Sequence, residues 1–311
     1  MSTAVSWPDG KRFAFSIFDD PDESTLDNVR GVYALLADLG IRTTKSCWPL
    51  RGDAEKGKFS GETCEDPAHC RWLLELQSQG FEIGWHGATW HGASRDMTRA
   101  ALEKFATVFG HYPKSASNHT GVEEGMYWAD ARLSGSHKMI YTVLTRGRNW
   151  GKYRGHIEGD PHFWGDLCKQ YITYYRNFVF QDINTLKACP FMPYHDSRRP
   201  HVKYWFASSN GPNVKSYNRC LAEANQDRLE EEGGACIMYT HFARGFWTGN
   251  RPEPRFESLM RRLAERNGWF VPVSTLLDHL IAVGGRREIT GDQRRWIERK
   301  WLLEKLIVGS N

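Results

Sequence analysis

The sequence predicts an α/β protein built on a parallel sheet, open or closed into a barrel. Strand-like apolar runs alternate with helix-period segments through the first third of the chain, and the alternation returns near its end. Three of the strand-like runs finish in titratable residues, the pattern expected where a parallel sheet gathers its strand ends on one face.

The elements follow in order. Residues 12–18 form a β-rich run that ends in F-D-D-P. Residues 22–40 carry Val29, Val32, Leu35, Leu36 and Leu39 at helical spacing, with Gly40 where a terminating glycine belongs. A strand at 41–47, a helix at 67–79, a strand at 81–85 and a helix at 95–110 complete the first series. The middle, about 121–234, is less regular and reads as an enlarged insertion; residues 136–145 are expected as a strand, followed by an aromatic, loop-rich stretch. Order returns with a strand at 235–239, a helix at 255–267, a strand at 269–273 and a short helix from Thr275, with Ser274 or Thr275 as its N-cap. The tail, 287–311, is an amphipathic helix with Trp296, Ile297, Trp301 and Leu302 among its apolar residues. A basic helix of this kind can lie on a membrane surface, although packing on its own domain or on another subunit is the more ordinary expectation.

Bulk properties exclude several classes. With 311 residues the chain can bury a sizeable core, and a net charge of +4 over 41 basic and 37 acidic residues is too mild and dispersed for a nucleic-acid protein. No run approaches the ~18 apolar residues of a membrane span, and the N-terminal dozen residues lack a secretory pattern. The seven cysteines are irregularly spaced. Cys64 and Cys70 flank His69 without completing a zinc pattern, so free thiols and a cytoplasmic location are expected. Thirteen tryptophans provide flat surfaces for packing or for stacking sugars.

The first strand ends in Asp19 and Asp20, the third in His86, and a late one in His241. Asp and His are ligand types of a divalent-metal hydrolase, with an extra carboxylate left to act as base. The residues fit these roles with Asp20 as ligand, Asp19 as base and His241 as the acid that protonates a leaving amine. Capping of the helix after Pro21 is the competing explanation for the two acids.

These stretches resemble the polysaccharide deacetylases (carbohydrate esterase family four). Their T-F-D-D-G motif is matched by I-F-D-D-P at 17–21, and their H-[S/T]-x-x-H by E-I-G-W-H-G-A-T-W-H at 82–91. The late histidine strand is matched by I-M-Y-T-H at 237–241, and the closing strand by G-W-F-V-P-V. The resemblance covers about 10–120 and 232–282. It implies a distorted (β/α) barrel over 1–286, with the insertion at 121–234, followed by the C-terminal helix. It also implies loss of an acyl group, typically acetyl, from an N-acylated amino sugar in surface polysaccharide metabolism. The implied roles are Asp19 as base, Asp20, His86 and His91 as ligands to a divalent metal of zinc type, and His241 as acid.

There are departures. Position four after His86 is Trp90, and His91 lies five after, a slip that rotates a side chain by about 100° on a helical turn. H-G-x-x-W is also similar to the allantoinase-like cyclic-imide hydrolases, some of which work without metal. The family's third-motif arginine is missing from S-A-S-N-H-T-G, where Asn118 and His119 could hold Asp19, or His119 could complete the metal shell. Trp90, Asn118, His119, His195, Arg198 and Phe242 are the expected contacts to a carbohydrate or sugar conjugate. His156, Asp160, His162 and Asp166 form a further acid–imidazole group whose spacing fits no tight metal motif. The rivals are a metal-independent amide or cyclic-imide hydrolase and a silent carbohydrate-binding relative.

Overall fold

The computed structural model describes residues 5–308 apart from positions 54, 57 and 59. The outer limits of the expected domain and tail, 1–4 and 309–311, lie outside the described residues. In chain order the strands are β1 (Phe13–Asp19), β2 (Thr44–Cys47), β3 (Glu82–Trp85), β4 (Ser115–Ala116), β5 (Tyr174–Phe180), β6 (Tyr194–His195), β7 (Tyr204–Asn210), β8 (Ala235–Thr240), β9 (Trp247–Thr248), β10 (Arg251–Pro252), β11 (Gly268–Phe270) and β12 (Arg287–Glu288). The helices are α1 (Leu26–Asp38), α2 (Pro67–Ser78), α3 (Arg95–Phe109), α4 (Gly135–Leu144), α5 (Gly165–Tyr171), α6 (Thr185–Ala188), α7 (Val214–Cys220), α8 (Glu223–Glu231), α9 (Pro254–Ala264), α10 (Val273–Gly284) and α11 (Gly291–Val308).

Seven parallel strands close on themselves in the order β1-β2-β3-β4-β5-β7-β8 and back to β1, giving the expected (β/α) barrel. Every residue of β1 is buried, because barrel side chains and helices cover its two faces. This explains its continuous apolar run. β11 pairs with the N-terminal half of β1, and the two-residue strands β6 and β12 extend the sheet beside β7.

Local chemistry explains most boundaries. Thr25 and Asn28 cap α1 reciprocally, and Gly40 follows its end with φ of 70°, a left-handed conformation that glycine adopts without strain. α10 begins at Val273, earlier than expected, without a side-chain cap from its N-cap residue, Pro272. Its leading amides find partners across the barrel base. Val273 N–H donates to Thr44 Oγ1 at 3.0 Å and Ser274 N–H to Glu82 Oε2 at 3.0 Å. Tertiary acceptors thus replace the local cap.

Two expectations are corrected. Of the expected strand at 136–145, residues 136–144 lie in helix α4 instead, with Met139 and Val143 exposed. A short apolar run carries no period decisive enough to separate the two. The middle region is not merely an insertion either, since β5 and β7 are barrel staves within it. The run Y-Y-R-N-F-V-F hid β5 because Arg176 and Asn177 interrupt its apolar character, yet both are buried.

The tail helix α11 packs on the domain. It buries Ile297, Trp301 and Leu302, and also the carboxylate of Glu298. Glu298 accepts from Ser134 N–H and Oγ, from His137 Nδ1 at 3.1 Å and from Arg199 Nη2 at 3.4 Å. Beside it, Asp196 pairs with Arg199 and Arg294, each at 2.5 Å. Among the described residues no helix is long and apolar enough to cross a membrane, and the seven cysteines are free thiols. Replacing Glu298 with Ala should cost about 1.5–3 kcal/mol by chemical denaturation, because buried donors lose a charged acceptor. Limited proteolysis should then cut at α11; unchanged stability and resistance would show that α11 docks by its apolar face alone.

Candidate active site

A cavity with about 180 Å³ of room for water-sized molecules opens at the C-terminal ends of the barrel strands. Asp20 and Asp22 reach it from the end of β1, His86 from β3, His119 from the loop after β4, Arg176 from within β5 and His241 from β8. Asp19 is not among its lining residues.

Alternation along β1 separates the two adjacent acids. Neighbouring residues of a strand face opposite sides of the sheet. Asp19 turns to the layer between sheet and helices. There it is fully buried, with Lys45 Nζ at 3.0 Å, the Tyr33 hydroxyl of α1 at 3.0 Å and the Phe242 N–H at 2.8 Å. Burial pushes its carboxyl pKa up, and the Lys45 ammonium and the Phe242 amide pull against that.

Asp20 turns into the barrel. Burial would raise its pKa, but the Arg176 guanidinium, then His86 and His241, hold it below the usual carboxylate value. Arg176 binds it as a fork, Nη1 to Oδ1 at 3.1 Å and Nη2 to Oδ2 at 2.5 Å. The guanidinium is packed over the rings of Phe18 and Tyr239, and the β5–β7 register shifts just after it, between Arg176 and Val179.

Asp22, two residues further on, meets three imidazoles. Its Oδ1 lies 3.3 Å from His119 Nδ1, and its Oδ2 lies 3.2 Å from His86 Nε2 and 3.5 Å from His241 Nε2. Burial alone would raise the Asp22 pKa, but the three histidines hold it well below the ordinary value. For His86, burial depresses the pKa against the pull of Asp20 and Asp22. His119 is raised, since the Asp22 carboxylate outweighs the opposing effect of its burial. Gly87 follows His86 with φ of 116°, so the chain turns away immediately after the ligand-type side chain.

Hydrogen bonds fix the tautomers. Ser117 Oγ donates to Asp20 Oδ1 at 3.0 Å, and its one proton is thereby used. It must therefore accept from His86 Nδ1–H at 2.7 Å, leaving the neutral ring's lone pair on Nε2, toward Asp22. Pro212 O accepts from His241 Nδ1–H at 3.0 Å, with the same consequence for His241. Lone pairs facing a carboxylate require a proton or a cation between them. Asp22 Oδ2 and His119 Nδ1 are moreover buried without a hydrogen-bond partner among the described residues. One ligand atom each from Asp22, His86 and His119 lies within 4.8 Å of the others, and Asp20, Asp22 and His241 form an overlapping group. One carboxylate and two imidazoles, one of them, His86, oriented by an outer hydroxyl, fit a divalent cation.

Other expected residues fall elsewhere. His91 hydrogen-bonds through Nδ1 to Gly92 O at 2.8 Å and joins neither group, because the loop does not absorb the one-residue slip. His119 supplies the second imidazole of the first group instead. Trp90 packs edge-on against Trp48, which itself contacts His86 and His119, and it does not line the cavity. Asn118 lines the cavity, but it clasps its own loop through Met126 N–H and O. His195 bonds to Lys203 O, Arg198 is exposed, and both lie outside the cavity. The Phe242 ring is buried against Tyr33 and Phe246. In the further acid–imidazole group, Asp160 pairs with Arg154 and Asp166 with Arg95.

Asp22, Arg176 and Ser117 went unread in the sequence. A third acid two residues beyond Asp20 was a signal for Asp22, and a lone arginine in an aromatic run was one for Arg176. Removing the Asp19 carboxylate leaves Lys45 buried and unpaired, so Asp19→Ala should destabilise by about 3–5 kcal/mol, and the double replacement Asp19→Ala, Lys45→Met should recover part of it. Additive losses in that cycle would refute the clamp.

No protein-family model matches the sequence, and no curated protein matches it. Solved structures do. One assigned as a polysaccharide deacetylase from Mycobacterium smegmatis superposes with a TM-score of 0.54 at 14% identity, covering 93% of this chain and 96% of that one. The allantoinase Puue gives 0.49 at 13% identity over 90% and 93% of the two chains. A structure from Pseudomonas aeruginosa PAO1, assigned as a polysaccharide deacetylase, gives 0.48 at 12% over 90% and 94%. The first superposition spans nearly the whole of both chains, and the fold of this chain is that of a polysaccharide deacetylase.

Proposed function

We propose that the protein hydrolyses the amide of a small N-acylated compound, an N-acetylated amino sugar being the leading substrate class, with a divalent cation of zinc type. The carrying observation is the convergence of Asp22, His86 and His119 beside an Asp20 that Arg176 holds ionised. The likeness in fold to a structure assigned as a polysaccharide deacetylase supports the same reading. A space of about 180 Å³ suits one substituted ring better than a length of polymer.

In this reading Asp22, His86 and His119 hold the cation, which when bound polarises the acyl carbonyl and acidifies water. Asp20, fixed by the Arg176 fork and Ser117, takes a proton from the attacking water. His241, anchored through Nδ1 to Pro212 O, serves as proton donor to the departing amine in its doubly protonated form, with the transferred proton carried on Nε2. Asp19 serves the site by holding the amide next to His241, not by moving protons.

Elemental analysis and acetate release test this directly. Asp20→Asn should keep the metal and lose about 10²–10⁴-fold in kcat. Ser117→Ala should weaken metal binding by about 10–100-fold, and Asp22→Asn or His119→Ala by more. Full turnover in chelator-treated protein would instead identify a metal-independent hydrolase. Sugar binding without acetate release under any metal would identify a silent binding protein.

The pH dependence has a definite sign. The metal-free His119 has a raised pKa, because the Asp22 carboxylate outweighs its burial, so its proton competes with the cation to a higher pH than an ordinary imidazole proton would. Metal affinity should therefore weaken as pH falls through that pKa, with proton release on binding seen by calorimetry in buffers of different ionisation heat. A pH-independent affinity would remove His119 from the ligand set.

A further inference from the structure

The same cavity contains a cation that the hydrolytic machinery does not use. Arg132 lines it and is only 6% exposed. Among the described residues no carboxylate lies within ion-pair distance of its guanidinium. Asp130, two residues earlier, is taken by Lys138 at 3.1 Å, while Glu298 serves Ser134, His137 and Arg199. Among the described residues Nη1 reaches only the Asn177 carbonyl, at a long 3.4 Å, and Nε is buried without a partner.

Aromatic faces cover the guanidinium instead. Its central carbon sits 3.6 Å from the Trp128 ring centroid and 4.8 Å from that of Trp301. Stacking of this kind covers the plane and leaves the N–H edge to its neighbours. Lys305, one turn beyond Trp301 on α11, lines the same cavity and has no ion-pair partner among the described residues. Burying a cation without a counter-charge is costly, so its retention beside an open cavity calls for an anion that arrives from outside.

We propose that Arg132 and Lys305 form an oxyanion subsite, and that the molecule hydrolysed at the strand ends carries a carboxylate or phosphate received there. The N–H edge of Arg132 suits the planar or tetrahedral oxygens of such a group, and Lys305 adds charge without a fixed fork. Tyr141 and Tyr153 complete the lining on this side. The α11 helix thus supplies two side chains, Trp301 and Lys305, to substrate selection. Identifying the bound anion with the substrate rests on the hydrolase reading above; the subsite itself does not.

Calorimetric titration of the intact protein with inorganic phosphate and with succinate, at constant ionic strength, tests it. N-acetylglucosamine serves as the neutral control. Saturable one-site binding is expected for at least one anion, and the stronger of the two identifies the group. Arg132→Gln should weaken it at least tenfold and Lys305→Ala about threefold, while Asp22→Asn should leave it in place. Arg132→Gln should also melt no lower than the wild type in anion-free buffer, and lose the melting-temperature gain that the anion gives the wild type.

Absence of saturable anion binding, or binding kept in Arg132→Gln and lost in Asp22→Asn, overturns the subsite, the latter because the anion would then sit on the cation site. If Arg132→Gln is not recovered folded, Arg132→Lys and Lys305→Ala carry the test, and unchanged affinity in both overturns it. Failure of acetate release or of metal binding would strike the hydrolase reading alone, because the anion titration depends on neither.

Discussion

A fully buried lysine–aspartate pair fixes the working end of this barrel. Lys45 and Asp19 face each other across paired positions of β1 and β2, and the same carboxylate accepts from Tyr33 on α1 and from the Phe242 amide just after β8. Four segments distant in sequence are thereby joined at one point. An ion pair removed from water holds only if its remaining hydrogen-bonding capacity is met, and here the tyrosine and the amide meet it. The residue before that amide is His241, so the clamp sets where one side chain of the site can stand. The residue after Asp19 is Asp20, and the strand pleat sends it to the other side.

Inside the barrel a second cation does the complementary work. Arg176 holds Asp20 ionised in a buried setting, and Ser117 links that carboxylate to His86. The Asp20 carboxylate and one imidazole are thus oriented through a single hydroxyl. Asp22 then stands opposite three imidazole nitrogens, a concentration of donors that needs positive charge to be stable. The barrel's charges are arranged in two layers, with Lys45–Asp19 between sheet and helix and Arg176–Asp20 within the ring of strands. Each layer keeps its own neutrality, which leaves the Asp22 carboxylate to its three imidazoles.

The far side of the cavity is built differently. The segment from Trp128 to Tyr153 and the helix α11 enclose it with rings and with two basic groups, Arg132 and Lys305, that no acid among the described residues neutralises. α11 is tied down by the Glu298 and Asp196 networks, which hold it against the barrel where Trp301 and Lys305 reach the cavity. Its tryptophans resemble those of a surface-seeking helix in sequence, and in space Trp301 stacks on Arg132.

The sequence by itself determined the βα alternation, the strand ends that carry Asp20, His86 and His241, and the glycine that ends α1, because these depend on local periodicity and on neighbours a few residues apart. Where a partner lay far along the chain, local pattern was insufficient. Tertiary structure alone decided that Asp19 belongs to Lys45 and Tyr33, that Asp20 and Asp22 share the cavity, and that His119 rather than His91 meets the first imidazole. It also brought Arg176 to Asp20 across 156 residues. Spacing predicts which side a residue faces only once the strand's limits and register are known, and those were set by closure of the barrel. The choice between two adjacent acids was therefore a matter of one pleat, and only the closed sheet fixes its phase.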